Sequence, residues 1–111
     1  MEQNKLISLA LNFTSFLVDR IKVKSVILFG SVASDNFDEE SDLDLFIETN
    51  KKNEKIIKTN LELYKKTKEY EKFLLEGIEN EISLKVGNLD EWKQLKRSII
   101  SNGIVLYGKY H

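Results

Sequence analysis

VILFGSVASDNFDEESDLDLFIE, residues 26–48, carries the reading of this chain. An apolar run, Val26-Ile27-Leu28-Phe29, stops at Gly30-Ser31; ten polar-rich residues follow, and apolar character returns within Asp42-Leu43-Asp44-Leu45-Phe46-Ile47. That pattern is a strand, a turn and a second strand. Side chains alternate across a strand, so Leu43, Leu45 and Ile47 share one face while Asp42 and Asp44 stand together on the other. Two like charges at that spacing repel, and a hard divalent cation with oxygen ligands, such as Mg2+, is the usual reason to keep them. Gly30 has no side chain to hold a ligand off the backbone, and Ser31 offers a hydroxyl where a short helix begins through Val32-Ala33-Ser34. Amides there would face phosphate oxygens. The two halves outline a site for a nucleoside triphosphate and its metal, with phosphates at Gly30 and Ser31 and the cation at Asp42 and Asp44.

The chain of 111 residues is read as one domain, residues 1–111, large enough for one core and too small for a separate acceptor-binding domain. The other half of a transfer reaction is therefore expected from elsewhere. A hydrophobic content of 41% beside 32% charged residues is that of an ordinary globular protein, and no apolar run is long enough to cross a bilayer. No signal-peptide pattern opens the sequence and there is no cysteine, so a cytoplasmic location is expected, without disulfides or thiolate metal sites. A net charge of -1 argues against nonspecific nucleic-acid binding by the chain as a whole.

Residues 2–21 place Leu6, Leu9, Phe13, Leu17 and Ile21 on one helical face, with Phe13 and Phe16 read as core. The strand at 24–29 is apolar at successive positions and is expected to be covered on both sides. Asp35, Asp38, Glu39 and Glu40 read as a solvated acidic loop. Residues 51–76 give one long helix, or two with a break near Lys65 to Lys68; the lysines interleave with glutamates, which describes a solvated face. Glu81-Ile82-Ser83-Leu84-Lys85-Val86 alternates as a strand, with Ile82, Leu84 and Val86 inward and Glu81, Ser83 and Lys85 outward. Lys85 could meet a phosphate, but the simpler reading is an ordinary exposed lysine. Asn88-Leu89-Asp90-Glu91 is a capping box opening a helix to about Ser101, with Trp92 in the core. Ile104 to Tyr107 adds a short strand or lies along the sheet edge, and His111 is given no role.

Gly30-Ser31, ten residues, then Asp42-x-Asp44 between two hydrophobic strands resembles the signature of the DNA polymerase β-type nucleotidyltransferase superfamily, and most of all its minimal (MNT, MntA-like antitoxin) branch. The resemblance implies a nucleotidyltransferase fold: a single α/β (α+β) domain with a small mixed sheet, helices packed on one face and the active site at the other. It implies Asp42 and Asp44 as catalytic metal ligands, Gly30 and Ser31 as phosphate-binding, and Glu81 as the best match to a third carboxylate, a metal ligand or general base. The implied reaction is Mg2+-dependent transfer of AMP from ATP, or of another nucleotide, to a hydroxyl. The implied partner is a HEPN-domain toxin, a helical ribonuclease, adenylylated on a tyrosine and so silenced. Two alternatives accompany this: a catalytically degenerate module that neutralises a partner by binding, and a small-molecule, aminoglycoside-type nucleotidyltransferase. The sequence departs from the pattern twice. Ser34-Asp35 stands where many relatives carry Arg-Gly, and the third carboxylate is a glutamate in place of the commoner aspartate.

Overall fold

The computed structural model describes residues 2–108; His111 lies outside them. The apolar stripe of the first helix, α1 (Gln3–Val18), buries Leu6, Leu9, Ala10, Phe13 and Leu17. Strand β1 (Ser25–Phe29) is buried at every position, as its unbroken apolar run requires. One helical turn, α2 (Gly30–Ala33), leads into the acidic loop and then strand β2 (Leu43–Glu48). A 3-10 turn (Lys51–Asn53) opens the long lysine-rich segment, which is two helices, α3 (Glu54–Tyr64) and α4 (Lys68–Leu75). The break falls at Lys65 to Thr67, where the Thr67 hydroxyl accepts from the Tyr70 amide at 3.3 Å and caps the second helix. Strand β3 (Ile82–Gly87), a 3-10 turn (Leu89–Glu91), helix α5 (Lys93–Asn102) and strand β4 (Ile104–Gly108) complete the described chain.

The sheet order is β3-β2-β1-β4. β1 runs antiparallel to both β2 and β4, while β2 and β3 are parallel, joined by the crossover through α3 and α4. This is a mixed α/β fold built on one small four-stranded sheet. On one face Val26, Leu28, Leu43, Leu45, Ile47, Ile82 and Val86 meet α1 and α3 in a continuous aliphatic core. Tyr64 closes that layer against Phe13 and Phe16, with its hydroxyl donating to Asn12 Oδ1 at 2.6 Å.

The opposite face is not wholly open. Ile27, Phe29 and Phe46 project there, and α5 covers them with Ile99 and Leu95, Trp92 and Leu89 packing alongside. Helices on one face therefore describes α1, α3 and α4 only; apolar residues on the Asp44 side of β1 and β2 demand a cover, and α5 supplies it. Trp92 belongs to this smaller layer, half-buried and edge-on to Phe46 with ring centroids 6.0 Å apart. It also interrupts the last helical segment, since its backbone (φ -115°, ψ 64°) separates the 3-10 turn from α5.

Candidate active site

The site lies where the C-terminal end of β1 meets the N-terminal end of β2, on the face that α5 covers only in part. Phe29 pairs with Asp44 across the ladder, so the residue after Phe29 turns directly over the Asp44 carboxylate. That residue is Gly30, in the left-handed region at φ 79°. A Cβ there would collide with Asp44 Oδ2, so glycine is required both by the backbone and by the approach. Ser31 follows, partly exposed at the start of α2.

Two tethers hold the turn in place. Gln3 Nε2, at the start of α1, donates to the Val32 carbonyl at 2.9 Å and to the Ala33 carbonyl at 3.4 Å. Ser34 Oγ donates back to the Gly30 carbonyl at 3.3 Å. The loop is shaped as well. Asp38 Oδ1 accepts from the Glu40 amide at 2.9 Å and from Ser41 Oγ at 3.2 Å, an Asx-type turn that occupies this carboxylate with its own backbone. Asn80 Nδ2 then donates to the Ser41 carbonyl at 2.7 Å, and the Leu43 amide donates to the Glu81 carbonyl at 2.8 Å. Asp42 is thus fixed from both sides.

Asp42 is exposed immediately before β2 and Asp44 is half-buried within it. Burial, and then the Asp42 charge, raise the Asp44 carboxyl above its ordinary value, with Lys85 pulling the other way. Among the described residues neither aspartate accepts a hydrogen bond or joins an ion pair. The acidic loop residues Asp35, Glu39 and Glu40 are exposed, as expected of a solvated loop.

The parallel register puts Ser83 beside Asp44 and Lys85 beside Phe46. Glu81, just outside β3, is not gathered into the aspartate pair: its Oε2 lies 3.6 Å from Lys65 Nζ, which follows α3 and also meets Glu62 at 3.4 Å. No three His, Cys, Asp or Glu side chains form a metal cage among the described residues. A magnesium site does not need one, because Mg2+ is usually held by one or two carboxylates plus substrate phosphates and water. Asp42 and Asp44 beside the Gly30 turn have that donor set. A hollow of about 490 Å³ opens at the far end of β2, between Lys24, Glu48, Asn50 and Asn88, and does not include the aspartate pair.

The sequence of residues 12–111 matches the family model described as polymerase beta, nucleotidyltransferase. The chain belongs to that family. No curated protein matches it. As a polymerase β-type nucleotidyltransferase domain, it carries the Gly-Ser turn and the Asp-x-Asp strand in contact with each other. Alternation alone brought out Asp42 and Asp44. The place of Ser83 beside Asp44 needs the parallel β2–β3 register, which strand patterning does not contain.

Proposed function

We propose that this protein is a magnesium-dependent nucleotidyltransferase that moves AMP from ATP to a hydroxyl, acting as an antitoxin on a tyrosine of a HEPN-domain toxin. The observation that carries the reading is the close approach of Gly30 to the Asp44 carboxylate, since it unites a glycine turn whose backbone a ligand can reach with an unpaired acidic pair. Asp42 and Asp44 would hold the metal, whose bound charge supplies neutralisation of the phosphate oxygens. The Gly30-Ser31 turn orients the triphosphate, and Ser31 offers its hydroxyl to a phosphate oxygen. The acceptor oxygen forms a bond to the α-phosphorus while the bond from that phosphorus to the pyrophosphate oxygen breaks, and the acceptor proton passes to a base or to solvent.

Glu81 is the proposed third carboxylate and base, and it reaches the pair only after leaving Lys65. The exposure of Asp42 leaves room for an acceptor as large as a protein side chain. The test is incubation with ATP labelled in its α-phosphate, magnesium and a co-expressed HEPN partner. Label on a partner tyrosine, lost when Asp42 and Asp44 are replaced by asparagine, is the expected result; an unlabelled partner contradicts it. Two observations favour a second reading. Glu81 is engaged by Lys65 and the acidic loop carries Ser34-Asp35, which suits a module that neutralises its partner by contact alone.

A further inference from the structure

Between Ser25 and Asn50 the chain has seven carboxylates and neither a lysine nor an arginine. A triphosphate approaching the Gly30 turn would meet a field that repels it, and two aspartates with one divalent cation do not offset its charge. The compensating cation has to come from another part of the fold. The strand register identifies one. Lys85 pairs with Phe46, two positions along from the Asp44–Ser83 pair and on the same face. Two residues advance ~6.6 Å along a strand and the next strand lies ~4.8 Å away, which puts the lysine stem roughly 8 Å from Asp44, within reach of an extended side chain.

Its surroundings restrain it on that face. Lys85 is exposed, and its Nζ lies 5.5 Å from the centroid of the Trp92 ring, which itself stands on Phe46. A cation on an aromatic face keeps its charge available while its stem is restrained. Lys85 joins no ion pair among the described residues, whereas Lys24, Lys58, Lys65 and Lys96 each have a carboxylate within 4 Å. Its field also reaches the Asp44 carboxyl.

We propose that Lys85, seated on Trp92, is a phosphate-binding residue of this site and supplies from β3 the positive charge that the Gly30–Asp44 segment lacks. This deepens the nucleotidyltransferase reading and rests on it. Lysine suits the task as a point charge that follows a phosphate without demanding a fixed planar geometry.

The experiment is calorimetric titration of ATP with magnesium, and of AMP, into the wild-type chain and the variants Lys85→Met, Lys85→Arg and Lys58→Met, each checked for an unchanged melting temperature. Lys58→Met makes the same charge change on α3, beside Glu54 and away from the site. Lys85→Met should weaken ATP binding roughly tenfold and AMP binding by clearly less, with Lys85→Arg retaining most of the affinity and Lys58→Met all of it. Trp92 is the one tryptophan in the sequence, so its emission should change as ATP phosphate meets the Lys85 charge beside the ring, and this change should vanish in Lys85→Met. Wild-type affinity in Lys85→Met would overturn the proposal and leave the nucleotide site standing. Equal losses for ATP and AMP would overturn it too, by showing that Lys85 acts through the packing of Trp92. A wild-type chain that binds no ATP would remove both this proposal and the reading beneath it.

Discussion

Asp44 and Glu48 lie on the same strand and the same face, four residues apart, and the chain treats them in opposite ways. Glu48 is 7% exposed and satisfied: Ser25 Oγ donates to its Oε1 at 3.0 Å, and Lys24 Nζ lies 3.8 Å from its Oε2. Asp44 is given no donor. Its near neighbours are another carboxylate and a glycine whose missing side chain lets the backbone crowd it. Desolvating a charge costs stability unless partners restore it, and only one of these two costs has been offset within the chain. Glu48 holds the sheet together. Asp44 is left without a hydrogen-bond or ion-pair partner among the described residues.

The largest effect should come from replacing both members of the acidic pair. Asp42→Asn with Asp44→Asn should lower transfer activity about a thousandfold, because the metal's charge stabilisation is worth several kcal/mol, while leaving the melting temperature equal or higher. A fall in stability together with activity would show that the pair is structural, like Glu48. Gly30→Ala comes next. It forces a side chain into the left-handed region and into the Asp44 carboxylate, so a loss of roughly 1–3 kcal/mol in denaturant unfolding is expected along with lost nucleotide binding.

Glu48→Ala should do the converse, costing about 1–3 kcal/mol by stranding the buried Ser25 hydroxyl while nucleotide affinity in the surviving folded protein is unchanged. A smaller effect is the pH dependence contributed by Asp44. The folded-state value of Asp44 is raised, so the native form takes up this proton more readily than the unfolded chain. Its contribution to stability grows as pH falls through that raised value and is complete below the ordinary value near 3.8. Denaturant unfolding of wild type and Asp44→Asn between pH 7 and 4 should therefore show wild type gaining on the variant as pH drops; a constant difference would mean that Asp44 is not strained. The smallest effect on transfer is that of Glu81→Gln. As the proposed base Glu81 must first leave Lys65, so its loss should lower transfer about tenfold, well short of the loss for the acidic pair; a change of less than about threefold would show that Glu81 stays on Lys65 and is no part of the site.

The strands and their inward faces were legible because alternation is a local property: Leu43, Leu45 and Ile47, and Ile82 and Val86, are buried together on the face their spacing assigns. The Asp-x-Asp pair was legible for the same reason. The ion pair of Glu81 with Lys65 was not, because alternation binds only residues inside a strand. β3 begins at Ile82, and a helix break 16 residues earlier delivers Lys65 to the glutamate. The cover provided by α5 left a trace in the sequence, since Ile27, Phe29 and Phe46 are apolar on the face that bears Asp44. What fixed their partner was the long-range return of Trp92 to Phe46. The pairing of Gly30 with Asp44 was foreshadowed by the motif, but its physical cause, a backbone passing over a carboxylate, is a matter of register.

The most direct test of the Asp44 site is calorimetric titration of ATP into the purified chain, with and without magnesium, beside the Asp42→Asn, Asp44→Asn double variant. Saturable binding that requires magnesium and disappears in the double variant is the predicted result. Binding that is the same without magnesium, or that survives loss of both aspartates, would contradict the assignment of this acidic pair to a metal and a nucleotide.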